Sequence, residues 1–166
     1  METPLEYKAR ILGLMEGKEP LEVLRATPGN LATLIANASG EDLRWRPGKD
    51  TWSVGEILAH LADAEVGAYW RYRQIIEHDG ITLSPFGQDL WAELGHYSDR
   101  DPHESLELFR LLRAEDLKML ENLTQDQWQR RGVHAERGPM TVRDLAVQIA
   151  GHDLNHVAQV HRILNS

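Results

Sequence analysis

Apolar residues recur three and four positions apart along most of this chain, the spacing of helices with one buried face. One stripe runs Ile57, Leu61, Ala64, Ala68, Tyr72, Ile75, and a strong start signal precedes it. Ser53 can cap the first turn, Glu56 stands three residues on to complete a capping box, and Trp52 and Ile57 occupy the two positions of a hydrophobic staple. That helix is expected to reach about Glu77. A second stripe, Val142, Leu145, Ile149, His152, His156, Val160, Ile163, follows the same grammar, with Thr141 as cap, Asp144 at the box position and Met140 and Leu145 as staple. The pattern also predicts a helix from Pro102 to about Leu123, carried by Leu106, Phe109, Leu112, Met119 and Leu123, with proline suited to its first turn. An N-terminal helix is expected over Pro4 to Met15, then a break at Glu16 to Pro20 and helix toward Ala38. Pro28 and Gly29 fall inside that last stretch, and because proline lacks a backbone donor, a fresh start near Thr27 is expected. Residues 79–101 read as an irregular connection with one helical turn at Gln88 to Glu93, long enough to suggest a functional loop. No alternating strand pattern with hairpin turns stands out. The fold class is therefore all-α, a four-helix bundle with short additional helices, in a single domain over residues 1–166.

Two segments echo each other. SVGEILAHLA (53–62) and TVRDLAVQIA (141–150) align without a gap, which suggests two helices in comparable roles, related by a pseudo-twofold axis.

Composition narrows the chemistry. The chain of 166 residues has no cysteine, so disulfides, thiolate ligands and a cysteine nucleophile are excluded, and any metal must be held by His, Asp or Glu. A net charge of −8 with scattered basic residues argues against nucleic acid as a partner. No run approaches the roughly 20 apolar residues of a membrane span, and METPLEYKAR lacks the features of a secretory signal, so a cytoplasmic protein is expected.

Of the eight histidines, His78, His96, His103 and His134 fall at expected helix ends or loops, and His161 lies off the inward stripe. His134 stands out among these because its loop directly precedes the last helix. His152 and His156 sit on the inward stripe four residues apart, which brings their Cβ atoms about 6 Å from each other, close enough to share an ion. A lone HxxxH is weak evidence. His60, however, lies seven residues after its cap, while His152 and His156 lie eleven and fifteen after theirs, so in the shared register all three fall on one face. Ala64, the counterpart of His152, leaves room. Three imidazoles gathered in an apolar interior need partners, which a cation or a hydrogen-bonded polar core could supply. On the residues alone both remain open.

LRWRPGKDTWSVGEILAHLADAE (43–65) together with AERGPMTVRDLAVQIAGHDLNHVAQV (135–160) resembles the DinB-like superfamily, and FGQDLWAE (86–93) extends the likeness over most of the chain. The resemblance implies a four-helix bundle, commonly a homodimer, that binds one divalent ion, often nickel or zinc, through His60, His152 and His156. It also implies a metal-dependent enzyme acting on a small molecule, either a transferase using a low-molecular-weight thiol or a hydrolase. The alternative is a non-catalytic metal-binding or stress-response protein with a structural or sensed ion. Three imidazoles would leave a coordination position open, the mark of a catalytic centre. Asp153 is expected to orient a ligand or act as a base, the former role being favoured, and Glu65 to be a solvated surface carboxylate. Trp52, Trp70, Trp91 and Tyr72 read as core or interface residues. No residue is assigned as catalytic. The stretches from Phe86 to Trp91 and from Arg131 to Pro139 are expected to shape the substrate entrance.

Overall fold

The computed structural model describes residues 3–85, 87–134 and 138–166. Four long helices form the bundle: α2 (Pro20–Ile35), α4 (Val54–Glu77), α6 (Pro102–Leu120) and α8 (Val142–Leu164). Helix α4 packs on α6 and α8, and α2 closes the ring by packing on α8 and α6, as the all-α reading required. Short elements fill the connections: α1 (Pro4–Gly13), α3 (Gly40–Arg44), α5 (Gln88–Leu94), α7 (Gln125–Gln129) and a 3-10 turn at Tyr97–Asp99. α1 lies along α8.

Both expected capping boxes form. Ser53 Oγ accepts from the Glu56 amide at 3.2 Å while the Glu56 carboxylate accepts from the Ser53 amide at 2.9 Å. Thr141 and Asp144 make the same pair of bonds at the start of α8, at 3.0 and 2.8 Å. These reciprocal bonds fix where each helix begins, and so the register of every side chain that follows.

Helix α2 departs from the sequence reading: it continues unbroken through Pro28, with no fresh start near Thr27. Proline leaves the carbonyl four residues back without its usual donor. Here that carbonyl belongs to Leu24, and the buried Arg113 guanidinium donates to it at 3.0 Å. A bond from another helix replaces the missing one.

A small sheet, absent from the sequence reading, joins β1 (Ile81–Leu83), β2 (Arg131–His134) and β3 (Gly138–Thr141) in that order. β1 pairs parallel with β2, Ile81 opposite Gly132, and β2 pairs antiparallel with β3, Arg131 opposite Thr141. Gly132 lets β2 lie directly on the end of α4, since a Cβ there would stand 2.8 Å from Ile75 and 2.9 Å from Leu83.

The core has two apolar clusters. One gathers Ala68, Tyr72, Ile75, Leu120, Val142, Leu145 and Ala146 at the sheet end; the other gathers Leu31, Ile57, Leu61, Phe109, Val160 and Ile163 at the opposite end. Between them, Thr27 of α2, Glu65 of α4, Arg113 of α6 and Asp153 of α8 are all at most 2% exposed.

Candidate metal centre

His60 on α4 meets His152 and His156 on α8 within this middle layer. One nitrogen from each ring lies within 4.8 Å of the other two. The ring centroids are 5.0 Å apart for His60 and His152, 4.9 Å for His60 and His156, and 4.5 Å for His152 and His156. The shared register of the two capped helices brings the three rings together. The other histidines stay apart from this cluster: His78, His96, His103 and His161 are exposed. His134 is buried on β2, where a loop was expected, and borders the same cavity as His60 and His152.

The Nε2 atoms of His60 and His152 face each other at 2.9 Å. Two lone pairs at that distance repel, so either one ring carries its proton there and donates it, or a cation takes both. Two imidazole nitrogens bound to one ion at about 2.0 to 2.1 Å stand roughly 3 Å apart, so the observed spacing fits a shared cation. His156 is oriented from the far side, where its Nδ1–H donates to Gln159 Oε1 at 3.0 Å and leaves Nε2 as the lone-pair nitrogen of the neutral ring. Trp52 packs on His60 with ring centroids 4.9 Å apart. Burial, helped by neighbouring His156, pushes His60 down to about 3. Burial likewise pushes His156 down to about 4, with the Gln159 bond opposing the shift and Arg10 adding to it. At neutral pH both rings are therefore neutral, the form a metal ion requires.

A cavity of about 180 Å³ opens beside the cluster, bordered by His60, His152, Ala64, Arg71, His134 and Gln148. Ala64 does leave room, as its small size implied. Pro85 and Gln88, from the connection expected to shape an entrance, border it too, while Phe86 and residues 135–137 lie outside the described residues.

Two carboxylates were misplaced by the sequence reading. Glu65, read as a surface group, is 2% exposed, and its two oxygens accept from Arg113 Nε at 2.6 Å and Nη2 at 2.7 Å. Asp153, read as an orienting group or base for the histidines, instead accepts from Arg113 Nη1 at 2.6 Å and Nη2 at 3.3 Å. It directly follows His152 but projects from the side of α8 that faces α6. Arg113 was missed altogether. Its signal was available: Leu106, Phe109, Arg113, Asp116 and Leu120 keep the three-and-four spacing of the buried face of α6, with charged residues at two inward positions. Gln159 carried only the weaker signal of lying three residues after His156 on the same helix.

Known proteins are similar to this chain in sequence and fold. A Geobacillus kaustophilus protein named "Putative metal-dependent hydrolase GK0616" is 30% identical over 87% of this chain and 82% of its own. "Putative metal-dependent hydrolase YfiT" of Bacillus subtilis is 27% identical over 93% and 88%. The solved structure of YfiT, whose title calls it a probable metal-dependent hydrolase with an unusual four-helix bundle topology, superposes with a TM-score of 0.81 at 23% identity, over 87% of this chain and 83% of that one, a likeness of fold. The family model described as DinB superfamily matches residues 24–160, and the chain belongs to that superfamily.

Proposed function

We propose that His60, His152 and His156 hold one divalent cation, zinc or nickel, and that the protein is a metal-dependent hydrolase of a small molecule. The observation that carries this reading is the convergence of three buried imidazoles, one nitrogen of each within 4.8 Å of the others, beside a cavity that a small molecule could enter. A hydrogen-bonded polar core would need a donor for each inward lone pair, whereas a single cation satisfies all three. When bound, such an ion supplies Lewis acidity, enough to make a nucleophile available near neutral pH.

The chain's own residues do the rest. Gln159 fixes the tautomer of His156, and Trp52 shields one face of His60 from water. The cavity is bordered by His60 and His152, so a substrate held there would lie against that flank of the centre. The relatives named as hydrolases favour cleavage over transfer.

The test is a panel of small esters and amides, assayed with zinc- or nickel-loaded protein with and without a small thiol. Metal-dependent cleavage without thiol, lost in His60→Ala, is the expected result. Formation of a thiol conjugate in place of cleavage would move the protein to the transferase class, and loss of the fold on chelation without any turnover would make the ion structural.

A further inference from the structure

Helix α1 lies before residues 24–160, the span that matches the family, yet it supplies one wall of the cavity beside the histidines. Tyr7 and Ile11, one turn apart on the same face of α1, border that cavity together with His60 and His152. Ile11 is 1% exposed, so its side chain is packed in place and is not a surface group free to swing aside.

The position of this wall is fixed at two points on α8, on either side of His152. Gly151 has no Cβ, and one placed there would lie 2.2 Å from the Ile11 carbonyl oxygen and 3.3 Å from the Ile11 Cβ, so the backbone of α1 rests on α8 at the residue just before His152. Three residues after His152, Asn155 Oδ1 accepts from Arg10 Nη1 at 2.6 Å. A wall seated this closely leaves the side chain at position 11 to set how far the cavity reaches. Ala64 and Ile149 add apolar surface to the same space. Its volume of about 180 Å³ equals roughly six waters at liquid density, room for a short chain and not for a long one.

We propose that Ile11 is a specificity-determining residue: the cavity takes substrates with a short apolar acyl group, whose carbonyl end faces His60 and His152 and whose far end stops against Ile11. Each methylene that fits gains from burial, and a methylene of misfit in such a pocket is worth roughly 10- to 200-fold in discrimination. The histidines thus set where the acyl carbonyl lies, and a helix outside the family match sets how long the acyl chain can be.

The inference rests on the proposed metal reading, and its test separates the two. Zinc-loaded protein is titrated with acetohydroxamate, butyrohydroxamate and octanohydroxamate, which carry the same metal-directed group on acyl chains of increasing length. Binding of the shortest reports the ion, and the dependence on length reports the wall. In the wild type, butyrohydroxamate is expected to bind more tightly than acetohydroxamate, and octanohydroxamate at least tenfold more weakly than butyrohydroxamate. Ile11→Ala should strengthen octanohydroxamate at least tenfold, and Ile11→Val should shift it the same way by less. Ile11→Phe should weaken butyrohydroxamate about tenfold. Acetohydroxamate affinity and zinc stoichiometry should stay within twofold of the wild type in all three, and Leu12→Ala, on the exposed side of α1, should change nothing. Octanohydroxamate bound as tightly as butyrohydroxamate by the wild type, or one length profile shared by the wild type, Ile11→Val and Ile11→Phe, overturns the inference. So does an equal change for all three probes, or loss of zinc, in the Ile11 variants, because position 11 would then act on the centre and not on chain length. If zinc-loaded protein binds no probe, the inference fails; if the protein takes up no zinc, the metal reading fails with it.

Discussion

The Arg113 cluster and the histidine cluster share two helices, since α4 contributes His60 and Glu65 and α8 contributes His152, Asp153 and His156. The Arg113 cluster is complete within the protein: one guanidinium is held by two carboxylates and also donates to the carbonyl that Pro28 orphans. The histidine cluster is not. Its rings present nitrogens to one another, and the outer nitrogen of His156 is tied to Gln159. A buried charge is tolerated where its partners are built in, and buried lone pairs are left facing each other where something from outside can occupy the space between them. Arg113 stabilises the fold without using the cavity, whereas His60 and His152 border it.

That contrast can be broken from either side. The largest effect is expected from Arg113→Met, which leaves Glu65, Asp153 and the Leu24 carbonyl buried without their partner. Unfolding in urea should show a loss of about 3–5 kcal/mol. Replacing Glu65 and Asp153 by leucine in the same background should recover much of it, because a matched apolar cluster avoids the unpaired charges. A full loss in the triple variant would show that the cluster does more than pair its own charges.

Next comes metal-linked stability. Zinc at a hundredfold excess over its dissociation constant should stabilise the wild type by about 2.7 kcal/mol. The same addition should do nothing for His60→Ala, while Arg113→Met, if it still folds, should keep most of the gain. Equal gains in wild type and His60→Ala would erase the distinction between the clusters.

A smaller effect is expected from Gly151→Ala, at the residue just before His152. The added Cβ would lie 2.2 Å from the Ile11 carbonyl oxygen, so α1 must move away from α8. The cost should be about 1–3 kcal/mol, read by thermal unfolding, and the cavity wall formed by Tyr7 and Ile11 should open with it. An unchanged melting temperature would contradict this close packing.

The gentlest test is pH, because the two ends of the polar layer titrate in opposite senses. His60 and His156 are held below 6.5, so the unfolded chain binds protons that the folded one refuses. Stability of the metal-free protein should therefore fall as pH drops from about 7 toward 4, and the slope should be shallower in His60→Leu. Asp116 behaves the other way: burial, with Glu65 nearby, raises it to about 7 against the pull of Arg73. The folded state then holds a proton between about 4 and 7 that the unfolded state releases, so this group costs stability as pH rises through that window. Asp116→Asn should gain stability at pH 8 and nothing near pH 4, and a gain of the same size at both values would refute the assignment.

Much of this was legible in the chain because capping signals and apolar spacing are local. Ser53 with Glu56 and Thr141 with Asp144 set two helix starts, and counting from them aligned His60 with His152 and His156 before any contact was visible. What was hidden depends on partners far along the chain. Pro28 reads as a break until Arg113 supplies the missing donor from another helix. Glu65 and Asp153 read as solvated or site-directed until the same guanidinium is found between them. The sheet escaped notice because ITL, RGVH and GPMT are too short to show alternation and include two glycines and a proline that read as turn residues.

The most direct measurement of the central claim is the metal content of untagged protein after equilibration with zinc or nickel and removal of free ion. One divalent ion per chain in the wild type, and none in His60→Ala or His156→Ala, is the expected result. Wild-type protein without metal, or variants that retain a full equivalent, would contradict it.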